Sequence, residues 1–148
     1  MIQAAFRIIE VDYAKDLALL RIIREAVFVI EQQVPLAIER DELDSKCRHV
    51  LAVDAEERPI GTGRLTPMRT IGRMAVLADW RGKGVGEALL GRLIAHARTA
   101  GWPSVSLHAQ VEAIGFYRKH GFLAEGDIYA EAGIPHQTMS LDLTNHGN

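Results

Sequence analysis

Apolar positions along this 148-residue chain change their spacing several times, and each change marks an element. Residues 3–10 alternate weakly, Phe6 and Ile8 against Arg7 and Ile9, and read as a first strand. Asp12 suits an N-cap for a helix running to about residue 29, whose apolar face carries Leu17, Leu20, Ile23 and Val27. His49–Val53 and Ile60–Leu65 read as strands joined by a turn at 54–59, and Ile71–Val76 as another. From Gly84 onward Val85, Leu89, Leu90, Leu93, Ile94 and Ala97 return at helical spacing. Arg98, Gly101 and Pro103 stop that helix. Val105–Ala109 is predicted as a strand, Val111 to His120 as a short helix ended by Gly121, and 122–128 and 137–143 as closing strands. A strand-helix-strand step over 71–109 implies a right-handed parallel crossover, whereas 49–76 implies antiparallel hairpins. The expected fold is therefore α/β (α+β), a mixed sheet with helices on its faces.

Between these elements, residues 31–46 show no clear period, contain Pro35 and carry five acids, Glu31, Glu39, Asp41, Glu42 and Asp44. This is the expected functional loop. If it lines a binding site, it favours a cationic ligand; otherwise it is a solvated charged face.

Composition narrows the class. An apolar content of 48% in one chain of this length suits a single domain, 1–148. A net charge of −2 gives no electrostatic footprint for nucleic acid or anionic lipid. The apolar runs are too short to span a bilayer, and the start lacks a secretory pattern, so a cytoplasmic location is expected. Cys47 is the single cysteine, which excludes an internal disulfide and reads as a bland thiol. The six histidines form no metal-ligating spacing, so no metal is expected.

The chemistry concentrates at Arg81-Gly82-Lys83-Gly84-Val85-Gly86, between an apolar strand and a helix. Glycines and two cations at a helix start leave backbone N–H groups bare beside the positive end of the helix dipole, which makes a phosphate cradle. No capping side chain precedes Gly84 to fill those donors. The alternative is a solvated glycine-rich turn. The spacing fails the P-loop pattern, and Glu87 stands where the third glycine of a dinucleotide fingerprint belongs.

The same six residues resemble motif A of the GNAT superfamily of acyl-CoA-dependent N-acyltransferases, Arg/Gln-x-x-Gly-x-Gly/Ala after a strand. Downstream, Gln110-Val111-Glu112-Ala113 through Tyr117 to Gly121-Phe122 resembles the family's Asn-x-x-Ala-x-x-x-Tyr-x-x-x-Gly-Phe, with Gln in place of Asn. Residues 27–32, 41–44, His49, 61–65 and 133–136 further resemble the ElaA-like branch. The resemblance implies six to seven strands, mostly antiparallel, with a splayed parallel central pair (71–76 and 104–109) and about four helices. It implies acetyl-CoA as acyl donor, an unidentified amine of a small molecule or peptide as acceptor, and direct attack in a ternary complex. Met74, Ala75 and Val76 would meet pantetheine through backbone, Arg81, Gly82, Lys83, Gly84, Val85 and Gly86 the pyrophosphate, and Gln110 the cofactor or substrate. A backbone N–H near Ala75–Val76 could stabilise the developing oxyanion.

Tyr117, carried by the second motif, is the candidate acid for the departing thiolate. The strand 71–76 has no carboxylate, so the family's strand glutamate is not matched, and Glu31, Asp44, His108 and His136 remain candidate bases. Arg64 and Arg73 could hold an acceptor carboxylate or be paired surface charges. Glu31, Asp44, Arg73 and His136 stand as the substrate-binding candidates. A CoA-binding sensor without turnover is the rival reading. A homodimer through an exposed strand edge near the C-terminus would be unsurprising.

Overall fold

The computed structural model describes residues 5–34 and 45–144. The strands are β1 Phe6–Val11, β2 Arg48–Asp54, β3 Pro59–Leu65, β4 Thr70–Val76, β5 Ser104–Gln110, β6 Leu123–Glu131 and β7 Ile134–Asp142. They form one seven-stranded sheet in the order β1-β2-β3-β4-β5-β7-β6. Every pairing is antiparallel except β4 with β5, which is parallel. Mixed topology and a parallel central step agree with the sequence expectation.

Three α-helices occur among the described residues, α1 Tyr13–Arg24, α2 Val85–Thr99 and α3 Ile114–Lys119, where about four were expected. Asp12 caps α1 as predicted: its Oδ1 accepts from the Ala14 and Lys15 amides, and its own amide donates to Asp16 Oδ2. The first helix ends sooner than its apolar spacing suggests. At Glu25–Glu31 the chain widens into a π-helical run, and the Gln32 amide reaches back five residues to the Val27 carbonyl. The predicted helix at 111–120 likewise opens with a tight 3₁₀ turn at Val111–Ala113.

The two faces of the sheet are packed by different helices. Val85, Leu89, Leu90, Leu93 and Ala97 of α2 are buried and join Val50, Ala52, Val105, Leu107 and Ala109 in the larger core. Burying each such leucine stabilises by roughly 1.5–3 kcal/mol. Gly63 lets α2 approach, because a Cβ there would lie 2.9 Å from Leu93 Cδ1. On the opposite face Leu20, Ile23 and Val27 pack on Leu51, Val53 and Ala75.

One irregularity positions the site. In β4 two steps on β3, Thr62 to Arg64, oppose three on β4, Ala75 to Gly72. The extra residue is taken up near Arg73, whose φ of 48° is rare for a side-chain-bearing residue. An inserted residue reverses the alternation of faces. Ile71 accordingly belongs to the α2 core and Ala75 to the α1 core, although both are odd-numbered.

Candidate active site

Beyond this bulge β4 and β5 part. Their pairing comprises only Thr70 with Ser106 and Ile71 with Leu107, while both strands continue to Val76 and Gln110. The backbone of Met74–Val76 thus lacks a strand partner on the β5 side. A cavity of about 650 Å³ opens along the divergence, lined by residues including Phe28, Gln32, Met74, Gln110 and Tyr117.

At the far end of β4 the glycine loop has the geometry an anion cradle needs. Gly82 and Gly84 adopt φ of 74° and 87°, and Gly84 is the N-cap of α2 with no side chain satisfying the first amides. A Cβ at either glycine would meet nothing within 4 Å, so conformation rather than crowding calls for glycine. Lys83 Nζ lies 5.3 Å from the Trp80 ring centroid. Arg81 is more constrained. Its Nη atoms donate to both oxygens of Glu31 at 2.7 and 2.8 Å, and its Nε donates to the Val76 carbonyl at 3.0 Å. The guanidinium holds the Glu31 carboxyl below its ordinary pKa.

This pairing relocates Glu31. The sequence placed it among the candidates for the acceptor; its side chain pairs with Arg81 of the glycine loop and forms no part of the cavity lining. Its neighbour Gln32 takes the place at the cavity, exchanging two amide hydrogen bonds with Gln110 at 2.9 and 3.3 Å. The π-helical run therefore touches both walls of the cleft. Asp44, with most of the acidic loop, lies outside the described residues.

Tyr117 stands where its motif implies. α3 carries the phenol across the cleft to Met74, with its hydroxyl 3.9 Å from Sδ. Burial pushes its pKa up to about 12. A phenol raised this far stays protonated at neutral pH and holds its proton more tightly than an exposed tyrosine. The phenol is better suited to a hydrogen bond than to free acid chemistry.

The remaining candidates gather at the β5–β7–β6 end. Val105, Leu107 and Ala109 face α2, so His108 and Gln110 point the other way. His136 is paired with Gln110 on one side and Tyr129 on the other, which puts all three on that same face. His108 and His136 both line the cavity, as do Arg64 and Arg73. Arg64 is buried and contradicts the alternative of paired surface arginines. Phe28, Gln32 and Glu131 also line the cavity, although sequence reading assigned none of them a role there. Glu131 has only its alternation with Tyr129 to signal that it shares the face. No cluster of metal-ligating side chains occurs among the described residues. No helix there is long and apolar enough to cross a membrane.

Comparison with known proteins gives a consistent result. Residues 12–143 match the acetyltransferase (GNAT) domain family. The chain is 39% identical over 125 residues to the uncharacterized N-acetyltransferase YjcF of Bacillus subtilis, covering 81% of this chain and 88% of YjcF. It is 34% identical over 144 residues to ElaA of Escherichia coli, covering 90% of this chain and 92% of ElaA. The ElaA crystal structure superposes with a TM-score of 0.78 over 93% of this chain and 99% of that one. An acyl-CoA N-acyltransferase structure from Pseudomonas aeruginosa superposes with a TM-score of 0.81 at 29% identity, over 93% and 99%.

Proposed function

The chain belongs to the GNAT acetyltransferase family, in its ElaA-like branch, and is an acyl-CoA-dependent acyltransferase; from this premise we propose that it moves an acetyl group from acetyl-CoA directly to an amine bound in the same cleft. The observation that carries the reading is the divergence of β4 from β5 after Ile71 and Leu107, beside a glycine loop whose helix-start amides have no capping side chain.

In this reading the pyrophosphate rests on the amides of residues 81–86, where dipole and bare donors favour an anion. Pantetheine follows the unpaired backbone of Met74–Val76, with an N–H near Ala75–Val76 polarising the thioester carbonyl as charge develops. The acceptor enters from the cavity, and its nitrogen attacks the thioester carbon held in the gap. Tyr117 donates a hydrogen bond to the departing sulfur. Its high pKa keeps the phenol protonated at neutral pH and so available as donor. Gln110 and Gln32 hold the acceptor wall against the π-helical run.

The test is thermal shift with CoA, acetyl-CoA, ATP and NAD, followed by free-thiol release against a panel of amines. Ligand at about 100 times Kd adds roughly 2.7 kcal/mol. For a chain of this length that means a rise of about 5–11 °C in Tm. No response to CoA, or a larger response to ATP, sinks the donor assignment. Binding without thiol release on any amine makes the chain a sensor instead.

A further inference from the structure

Transfer to an amine needs a destination for a proton, because an alkylamine arrives at pH 7 as ammonium. Of the four candidate bases, Glu31 is engaged by Arg81 and Asp44 lies outside the described residues. Among the described residues the imidazoles remain of those four, and their hydrogen bonds distinguish them.

His136 Nδ1 lies 2.7 Å from the Ile134 carbonyl. A carbonyl only accepts, so Nδ1 carries the hydrogen and Nε2 the lone pair. Nε2 stands 3.7 Å from Glu131 Oε2, beyond hydrogen-bond reach yet close enough to attract an imidazolium. The other Glu131 oxygen accepts from His108 Nδ1 at 2.9 Å, which orients the carboxylate between the two rings. Tyr129 stacks on His136 at 6.2 Å between centroids. The His136 side chain is 8% exposed against 49% for His108, so His136 is the imidazole shielded from bulk water. The other charged or titratable groups lining the cavity are Arg64 and Arg73 from β3 and β4, His108 from β5 and Tyr117 from α3.

We propose that His136 Nε2 is the proton acceptor for the incoming ammonium and that Glu131 is its positioning carboxylate, so that the site takes acceptors presented as alkylammonium ions. The inference rests on the transferase reading above. Nε2 takes one proton, leaving the amine nitrogen its lone pair. The nitrogen attacks the thioester carbon, the C–N bond forms and the carbonyl electrons move to oxygen. They return as the C–S bond breaks, and the second amine proton leaves with sulfur as thiol. His136 then releases its proton to water.

Thiol release is followed from pH 5 to 9 with two acceptors, an alkylamine and a hydrazide that is already neutral at pH 7. His136→Asn retains an N–H for the Ile134 carbonyl but lacks the basic nitrogen. It should lower alkylamine kcat by about 10²–10⁴-fold, with hydrazide turnover changed less than ~3-fold and the acetyl-CoA KM unchanged. Glu131→Gln, at a half-exposed position, should lower alkylamine kcat while leaving hydrazide turnover changed less than ~3-fold. Equal losses on both acceptors in either variant overturn the assignment. Independently of any acceptor, ¹⁵N NMR of the acetyl-CoA complex should show His136 as the Nδ1–H tautomer; the Nε2–H tautomer also overturns it. A wild-type protein that binds acetyl-CoA but turns over no amine fails the transferase reading instead, and the tautomer still decides the assignment.

Discussion

The two walls of the cleft differ in the kind of atom they offer a ligand. On the donor wall β4, the glycine loop and α2 present backbone: an unpaired strand edge, two glycines at positive φ and a helix start with no capping side chain. On the acceptor wall β5, β7 and β6 present side chains, with His108, Gln110, Tyr129, Glu131 and His136 on one face. Backbone recognition depends on conformation and tolerates varied side chains, whereas side-chain recognition changes with each substitution. In the proposed reading the first wall suits the donor and the second the acceptor.

A large effect is expected between the walls. Tyr117→Phe removes the donor to the leaving sulfur, and kcat should fall by roughly 10²–10³, as when one preorganised donor is lost. Its acetyl-CoA KM should stay unchanged; an unchanged kcat removes Tyr117 from the chemistry.

The same residue sharpens the comparison through alkaline stability. Its folded pKa of about 12 exceeds the ordinary 10.0, so the folded protein holds the proton longer than the unfolded chain. That stabilisation is fully present below pH 10 and is lost as pH rises through 12. Relative to Tyr117→Phe, the wild type should lose roughly 2–3 kcal/mol across that interval in denaturant titrations. Parallel curves would show that the phenol is not buried as described.

On the donor wall, Gly84→Val forces a β-branched residue into the left-handed region. The strain of about 1–3 kcal/mol should weaken acetyl-CoA binding roughly 5–150-fold while leaving acceptor KM unaffected. A matching rise in acceptor KM would mean that the walls are not separable.

The smallest effect tests which wall Glu31 serves. Glu31→Gln removes the carboxylate that neutralises Arg81, making the loop more positive. Acetyl-CoA KM should fall by about two- to threefold at low salt, the change expected of an exposed ion pair, with acceptor KM unmoved. A rise in acceptor KM alone would return Glu31 to the acceptor side.

How much was legible in the chain follows the same division. The donor loop could be read because its signal is local: six consecutive residues, a strand before them and an amphipathic helix after them. Tyr117 could be placed because its motif spans only thirteen consecutive residues, 110–122. Gln32 and Glu131 could not. Gln32 meets Gln110 across 78 positions, and Glu131 meets His108 across 23, with no period linking either pair. Glu31 shows the same limit, since local charge density marked it while its partner Arg81 lies 50 residues away.

The sequence by itself determined most of the elements, the family and a glycine-rich helix start with no capping side chain, because hydrophobic period, glycine conformation and helix-start chemistry act within a few residues. Tertiary structure decided how far β4 stays with β5 and which wall Glu31 and Gln32 meet. Those depend on one inserted residue near Arg73 and on a π-helical run at 25–31. Their consequences, a reversed strand face and a bridge between walls, appear only once distant segments pack together.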